Sequence, residues 1–472
     1  MKKMLSLLLA LIFAVAMFAG CSSSSSEPAS TPAGTPADDS PSGGAEEITL
    51  VWVDNGLLAG NRADQVIEKW YRIHPEIKID YIELGSTADE EFMKNLDVMI
   101  AGGTTVDVNQ LIIDDFYKRV QNGGVLPLDE YIADAGDDYN TMYGAGATAA
   151  VSYNGQIYGV PYKSNTFKVF YNKTIMDAAN ITIPDVWSLD EFRAVAEQLN
   201  DPANHFYGCV IPSTWSEVCY SVANVAGWES AVKDADGTIH PNFDNEVFRN
   251  VMQWVRDMAD VYNVTPSYAT IRAESINRRM ALANEQTAMI MDGPYTLYWL
   301  QTYMFNDPGE GPLPFELGVT EIPYATDEAS TLSYGVTAQA YYVPKTSAHP
   351  REAYEFCKFI SNEAIAEIDN YMPAYLNHNP SDAADCLLTF TDSEGVLHED
   401  VYPEEVVKQG ISVPQEMHSS HWNFDPSMAS YKSLMTQVLD EQWSLFLTGE
   451  MDMDDWIDLL QDLGEEELRN AA

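Results

Sequence analysis

Apolar and polar residues in the first part of the chain alternate between the period of a strand and that of a helix. An apolar, β-branched run at 48–53 predicts a buried strand, and residues 64–71 show the spacing of an amphipathic helix. Alternation at 77–81 predicts a second strand, a capping box at Thr87 starts a second helix, and 106–113 is predicted as a third strand. This order is typical of a mostly parallel sheet, in which ligands bind beyond the carboxyl ends of the strands.

The clearest interruption of the pattern lies within residues 153–176. Pro161 has no backbone N–H and a fixed φ, so we expect two short strands on either side of it rather than one regular central strand. The following residues, up to Thr166, are polar, which suits backbone that lines a solvent-filled cleft. We therefore predict that the chain passes from one lobe to another at 161–166.

The rest of the chain continues the mixture of strands and helices. Strands are predicted at 207–211, 288–295, 317–322 and 339–344. Helices are predicted at 188–199, 245–262, 350–369, 434–446 and 453–463. Between 377 and 420, frequent Pro, Asp, His and Gly residues interrupt every periodic run, so we expect loops with short helical turns.

The first 47 residues have the composition of an export signal and a tether. Two lysines precede an apolar run that ends in small residues, which predicts a signal peptide over 1–20. Phe18-Ala19-Gly20-Cys21 resembles a bacterial lipoprotein cleavage box, with Phe18 where Leu is usual, and predicts lipidation of Cys21; plain secretion is the alternative. Residues 21–47, rich in Ser, Pro, Ala and Gly, are predicted to form an acylated flexible tether.

Charge and cysteine content narrow the class of function. The formal net charge of -47 disfavours nucleic acids and anionic lipid surfaces as partners, because both would repel the protein. Cys209 and Cys219 could form a disulfide outside the cell, and the sequence leaves their pairing open. His418 and His421 lack a third ligand in a recognisable pattern, so we predict no metal site and no cofactor.

Several segments in series resemble one family, the extracellular solute-binding proteins of ABC importers, in their maltose-binding-like, sugar-binding group. The matching segments include ITLVWV, GVLPLDEYI, WSLDEFRAVAEQL, ANEQTAMIMDGPY and YNGQIYGVPYKSNTFKVFYNKTIMDAANI. Two stretches depart from the usual pattern, since Val106 replaces a proline and the common Thr before Trp187 is missing.

The resemblance implies an α/β fold of two lobes, joined by three crossings, with the solute held between them. We place the crossings near 162–166, 334–338 and 371–375. The first lobe then comprises 48–163 and 338–372, and the second lobe comprises 164–337 and 373–465. Proteins of this kind close on their ligand by a hinge rotation.

Candidate ligand-binding residues follow from the chemistry of a sugar, which presents hydroxyl groups at its rim and C–H groups on its faces. Its site needs aromatic platforms and side chains that exchange hydrogen bonds in the plane of the ring. Aromatic residues in predicted loops at the lobe edges are Trp215, Tyr295, Tyr334, Tyr371 and Trp422. The polar candidates are Asn55, Asp114, Asp115, Ser164 and Asp292.

These observations predict a non-enzymatic, monomeric receptor, lipid-anchored on the outer face of the bacterial cytoplasmic membrane, or periplasmic where there is an outer membrane. It would deliver a carbohydrate, an oligosaccharide in particular, to ABC permease subunits. A secreted glycoside hydrolase is the alternative from another class; it would need two carboxylates across the cleft. A binding protein for a non-sugar solute, such as a polyamine or a peptide, is a third option.

Overall fold

The computed structural model describes residues 48–54, 62–84, 89–111, 113–184, 186–223, 225–306, 308–324, 334–364, 372–377, 387–412, 418–419 and 439–471. Within it, Glu47–Ala472 form one compact unit. The predicted signal peptide, tether and lipidated Cys21 lie outside the described residues.

The described strands are short, and their bounds are as follows: β1 Ile48–Asp54, β2 Ile77–Glu83, β3 Val108–Leu111, β4 Ser152–Tyr153, β5 Gln156–Ile157, β6 Gly159–Asn165, β7 Lys168–Asn172, β8 Tyr207–Val210, β9 Ala231–Lys233, β10 Ile239–Pro241, β11 Thr287–Asp292, β12 Leu317–Glu321, β13 Tyr334–Tyr342, β14 Met372–Pro373, β15 Phe390–Thr391, β16 Leu397–His398 and β17 His418–Ser419.

The described α-helices have the following bounds: α1 Arg62–Ile73, α2 Asp89–Ala101, α3 Ile113–Gln121, α4 Asp129–Ala135, α5 Tyr139–Ala150, α6 Lys173–Ala178, α7 Leu189–Leu199, α8 Trp215–Val218, α9 Glu246–Asp260, α10 Tyr268–Glu274, α11 Arg278–Ala283, α12 Thr296–Phe305, α13 Pro350–Phe359, α14 Glu404–Gly410, α15 Leu439–Leu447 and α16 Met453–Ala471. Short π-helical segments follow α8 and α13.

The first sheet contains the early strands of the chain together with three strands from later segments. Its order is β14-β6-β13-β3-β1-β2, with β17 paired to β13. Strands β1, β2 and β3 are parallel, as their alternation with helices predicts, whereas β13 is antiparallel to β3 and β6. The predicted parallel arrangement is therefore found at 48–111, and a second parallel pair joins β13 to β17.

The second sheet has four strands in the order β12-β7-β11-β8. Strands β8 and β11 are parallel, and β7 lies antiparallel between β11 and β12. Both faces of this sheet are buried, because Met289 and Met291 of β11 pack in one hydrophobic cluster while Ile290 between them packs in another. This follows from the alternation of side chains along a strand, and it is typical of a sheet with helices on both faces.

Separate hydrophobic cores accompany the two sheets. One core combines residues of β1–β6 with residues of β13 and α13, and it includes Trp52, Tyr162 and Tyr341. The other sheet is covered by the two clusters just described, which include Phe167, the first core residue after β6. The change of core thus falls between Tyr162 and Phe167.

Three adjacent strands lie where the chain passes between the two sheets with their cores, as the predicted crossings require. Strand β6 lies between β13 and β14, with Val336 opposite Asn165 and Met372 opposite Ser164. These pairs come from the three segments predicted as crossings. The predicted α/β fold with three interlobe crossings is confirmed.

The prediction that Pro161 separates two short strands is wrong, because one irregular strand contains it. Strand β6 runs through Pro161, which lies opposite Ala340, and the next pair joins Lys163 to Gln339. Tyr162 is therefore an extra residue on β6, which makes the irregularity a β-bulge. A bulge accommodates a proline because the ladder of backbone hydrogen bonds is already broken there, so the missing N–H is not needed. The carbonyl oxygen of Pro161 accepts a hydrogen bond from Ser361 Oγ at 2.5 Å.

The predicted helix starts at Ser188 and Asn245 are confirmed, whereas the predicted end of the third strand is not. The capping box at Ser188 is present, with Ser188 Oγ accepting from the N–H of Glu191 and the Glu191 carboxylate accepting from the N–H of Ser188. Asn245 caps α9, with its side-chain oxygen accepting from the N–H of Val247. In contrast, the third strand ends at Leu111, and α3 begins two residues later. Cys209 and Cys219 are both buried and are not joined to each other, so the disulfide left open by the sequence is not formed.

Packing of α7 on β8 depends on a glycine. A Cβ atom at Gly208 would lie 2.0 Å from the carbonyl oxygen of Ala196, a backbone atom that cannot rotate away. We expect Gly208→Ala to lower the free energy of unfolding by about 3 kcal/mol, the upper range for overpacking. Gly124→Ala is the matched control, because its nearest neighbour, Arg119 O, would be 3.4 Å away. Equal denaturant midpoints for the two variants would contradict this account of the packing.

Candidate functional site

The carboxyl ends of the parallel strands in both sheets point toward the three crossing strands. In the first sheet, Leu111 at the end of β3 pairs with Ala340, which is nearer to the crossing than Tyr342 is. In the second sheet, Asp292 at the end of β11 pairs with Lys168, the first residue of β7 after the crossing. Polar residues at these two edges form the candidate functional site, as expected for sheets of this kind.

The first edge is built from side chains that hydrogen bond across neighbouring strands. Tyr341 donates its hydroxyl to Asp54 Oδ2 at 2.9 Å, and both residues are buried. Tyr162 Oη and Gln110 Nε2 both donate to Gln339 Oε1, at 2.9 and 3.3 Å. The rings of Tyr162 and Tyr341 lie 4.4 Å apart. Side chains of β1, β3, β6 and β13 are thereby joined beside the bulge.

The second edge is charged. Asp292 is fully buried and accepts from both neighbouring arginines: Arg278 Nη2 lies 2.8 Å from Oδ1, and Arg279 Nε lies 2.6 Å from Oδ2. Arg278 also forms a two-pronged pair with Glu217, at 3.1 and 2.5 Å. The arginines begin α11, whose N-cap is Asn277, and this helix leads back into β11. Because α11 runs opposite to β11, its first residues return to the same edge.

The positive charges of Arg278 and Arg279 keep the Asp292 carboxylate ionised. Burial by itself would raise the pKa of Asp292, but the two arginines and their hydrogen bonds outweigh it and keep this pKa below its usual range. Both oxygens are occupied, since Oδ1 also accepts from the N–H of Gly293 at 2.8 Å. Asp292 is therefore arranged to orient the arginines rather than to receive hydroxyl groups.

Tyr295 lies beside this charge cluster. The guanidinium carbon of Arg279 lies 4.7 Å from the centroid of its ring. The ring also covers Gly293, where a Cβ atom would meet Tyr295 Cε1 at 2.3 Å. Burial raises the pKa of the Tyr295 hydroxyl, so it stays protonated at neutral pH and can donate a hydrogen bond.

A buried lysine completes the edge at the crossing. Lys168 Nζ lies 2.5 Å from Glu321 Oε1 and 3.1 Å from Ser412 Oγ. Burial lowers the pKa of Lys168, against the opposing effect of Glu321. In the sheet, Lys168 stands between Asp292 and Glu321, so three charged residues lie side by side where the second lobe begins.

The predicted site residues fall into three groups. Asp292 and Tyr295 lie together at the second edge. Ser164 and Tyr334 belong to crossing strands β6 and β13, and Asp114 and Asp115 lie in the first turn of α3 instead of a loop after β3; the structure describes only the backbone of these four. Residues Asn55, Tyr371 and Trp422 lie outside the described residues.

Trp215 requires a correction. The sequence predicts an aromatic platform in a loop at a lobe edge, but Trp215 begins α8 and its side chain is fully buried. Its ring packs against Trp443, Trp456 and Phe248, at centroid distances of 5.7, 5.8 and 5.9 Å. The partners come from helices far away in the chain, so the sequence around Trp215 gave no sign of this cluster.

Sequence reasoning missed the residues that surround Tyr295. Arg278 and Arg279 follow an Asn that caps a helix, and Trp299 lies four residues after Tyr295 on α12. The helical spacing of Trp299 was a usable signal, whereas the pairing of the arginines with Asp292 and Glu217 required the fold. Among the described residues, no cluster of His, Cys, Asp or Glu has the arrangement of a metal site. No described helix is both long and apolar enough to cross a bilayer.

Comparisons with known proteins agree with this architecture. Residues 76–384 match the family described as bacterial extracellular solute-binding protein. An arabinooligosaccharide-binding protein of Bacillus subtilis is 23% identical over 323 residues, covering 68% of this chain and 70% of that protein. A maltotriose-binding protein of Pyrococcus abyssi is 28% identical over 180 residues, 36% of this chain; the match spans only 37% of that relative.

Solved structures show the same fold. A sugar transporter of Rhizobium etli in an open conformation has a TM-score of 0.71 and 18% identity, with 89% of this chain and 99% of that chain covered. An ABC substrate-binding protein of Listeria monocytogenes in complex with cycloalternan has a TM-score of 0.65 and 19% identity, covering 90% of this chain and 99% of that chain. The match to the family over residues 76–384 confirms the resemblance to extracellular solute-binding proteins that the sequence segments predict.

Asp292 generates a prediction about stability and pH. Asp292→Asn leaves two arginines without their buried anion, so we expect a loss of about 3–5 kcal/mol in the free energy of unfolding at pH 7. Because the folded pKa of Asp292 is lowered, its contribution is complete above the unfolded pKa of about 3.9 and is lost as pH falls through the folded pKa. Urea unfolding at pH 7, and then at a series of falling pH values below about 3.9, measures both effects.

The matched control is Asp190→Asn, which removes one exposed carboxylate paired to Arg193 at 3.4 Å. Its effect at pH 7 should stay within about 1 kcal/mol. If Asp292→Asn and Asp190→Asn had the same stability and the same acid profile, the cluster would not be the stabilising element described above.

Proposed function

Because this chain belongs to the bacterial extracellular solute-binding protein family, we propose that it is a receptor that captures a carbohydrate, in particular an oligosaccharide, and delivers it to an ABC importer. The observation that carries this proposal is the convergence of both sheet edges on the three crossing strands. Such an arrangement places polar and aromatic side chains of two lobes around one solute and allows the lobes to close on it.

The chemistry of the second edge suits a sugar. Tyr295 supplies an aromatic ring, and Arg279 supplies a planar donor next to it. Asp292 fixes the plane of the guanidinium through two hydrogen bonds from Arg279, at 2.6 and 3.2 Å. We assign Asp292 this orienting role, while Asn55, Asp114, Asp115, Ser164, Tyr334, Tyr371 and Trp422 remain predicted ligand contacts.

The names of similar proteins support the same ligand class. Two relatives are described as binding maltotriose and arabinooligosaccharide, and one structural neighbour was solved with cycloalternan. All three are oligosaccharides or cyclic forms of them. The hydrolase alternative gains no support from Asp292, because a general acid requires a raised pKa and that of Asp292 is lowered.

We further propose that the chain is exported and anchored by lipid. The composition of residues 1–20 and the cysteine at position 21 support this, as does the polar segment up to residue 47. The receptor would act as a monomer at the extracellular face of the cytoplasmic membrane, in contact with the permease subunits of its importer.

Ligand binding tests the proposed function directly. We expect the chain from Glu47 onward to show a higher unfolding temperature with at least one member of a series that includes maltotriose and arabinotriose. A ligand at 100 times its Kd adds about 2.7 kcal/mol to the free energy of unfolding. A shift with spermidine or a peptide mixture, and none with any sugar, would assign the site to a different solute class.

The anchor can be tested in a bacterial host that processes lipoproteins. Cys21→Ser should move the protein from the membrane fraction to the soluble exported fraction and abolish labelling with radioactive palmitate, because the acylated thiol is lost. Ser22→Ala is the control and should stay in the membrane fraction. Retention of Cys21→Ser in the membrane, without label, would show that a different feature anchors the chain.

A further inference from the structure

Trp299 is exposed to an extent that its chemistry does not favour. Its relative exposure is 52%, whereas the other tryptophans among the described residues are buried or half-buried. A large apolar ring held in water loses the stabilisation that burial would provide. Single exposed apolar residues are common, so the surroundings of this ring decide whether it has a role.

Trp299 lies one helical turn beyond Tyr295. The N–H of Trp299 donates to the carbonyl oxygen of Tyr295 at 3.1 Å, so the two side chains lie on the same face of α12. Helix α12 starts directly after β11, at the edge that points toward the crossing. The exposed ring is therefore at the rim of the candidate site, and Tyr295 is deeper.

Arg279 connects the two aromatic residues. Its guanidinium carbon lies 4.7 Å from the ring centroid of Tyr295 and 5.7 Å from that of Trp299. Nε and Nη2 are held by Asp292, so the plane of the group is fixed. Nη1 donates to no acceptor among the described residues, and the side chain keeps 20% of its surface exposed. A fixed donor thus stands beside an exposed aromatic face.

We propose that Trp299 and Arg279 form an outer subsite for a second sugar ring of a neutral oligosaccharide. The C–H face of that ring stacks on Trp299, and one of its hydroxyl groups accepts a hydrogen bond from Arg279 Nη1. This inference rests on the proposed function and deepens it, because the subsite favours ligands of two or more sugar units over monosaccharides.

The position of the ring favours a sugar over a protein partner as its occupant. A protein-docking surface would be expected to present a wider apolar patch. Trp299 instead has a charged group fixed at its inner side and a second aromatic residue one turn away, which is the combination of stacking face and in-plane donor that a sugar requires.

The test uses isothermal titration calorimetry on the chain from Glu47, with glucose, maltose and maltotriose and with arabinose, arabinobiose and arabinotriose. For the series that binds, Trp299→Ala should weaken the trisaccharide about tenfold, the effect of one aromatic contact. Binding of the monosaccharide should change less than about twofold. Trp299→Phe should recover part of the loss because it keeps an aromatic face.

Val261→Ala is the matched control, since Val261 is also apolar and exposed on the second lobe. Thermal unfolding of each variant shows whether it is folded, and Trp299→Phe serves if the alanine variant is not. If the wild-type chain binds the trisaccharide and Trp299→Ala binds it with the same affinity, the subsite is overturned but the proposed function stays intact.

Other outcomes separate the remaining explanations. If no sugar binds the wild-type chain, the proposed function fails and the subsite with it. If Trp299→Ala binds every sugar normally but no longer supports sugar uptake in cells, the ring contacts the permease instead, and the subsite is again overturned.

Discussion

The three adjacent crossing strands, β14, β6 and β13, are the constraint on which the rest of the structure depends. They lie side by side because residues from three distant parts of the chain pair in one sheet. Any rotation between the lobes must therefore bend the same narrow group of strands. The bulge at Tyr162 and the hydrogen bonds to Gln339 lie at the start of this group, where they fix its position on the first sheet. The carboxyl ends of the parallel strands in both sheets face these crossing strands. A solute bound beside the crossing strands therefore contacts side chains from both lobes when the lobes close.

The buried polar groups at the two edges are paired in different ways. The first edge joins its strands mainly through hydroxyl and amide groups, with Asp54 accepting from Tyr341. The second edge uses two arginines, a buried lysine and three carboxylates, those of Glu217, Asp292 and Glu321. Removing one partner of such a buried pair is strongly destabilising, and the hydrogen bonds within the network restrict the orientations of its side chains. This supports the assignment of the second edge as a preorganised part of the proposed sugar site.

The sequence predicted the elements that depend on local pattern. Apolar runs located β1, β8, β11 and β12, and Ser188 located the start of α7. The first crossing could be predicted because a polar segment with a proline stood out between apolar strands, whereas the other two were placed only by the resemblance to the family. Roles that depend on distant packing could not: Trp215 joins rings from α9, α15 and α16, and Asp292 meets arginines whose pairing is visible only in three dimensions. The spacing of Trp299 from Tyr295 places both on one helical face, but the sequence does not show that the Trp299 ring is exposed.

The central claim is that the solute is held between two lobes that close around the crossing strands. Small-angle X-ray scattering on the chain from Glu47 tests it most directly, with and without a saturating concentration of a trisaccharide that binds. The account predicts a smaller radius of gyration in the presence of the sugar, because closure brings the two lobes together. An unchanged radius at saturation, with binding verified in the same sample by calorimetry, would contradict it.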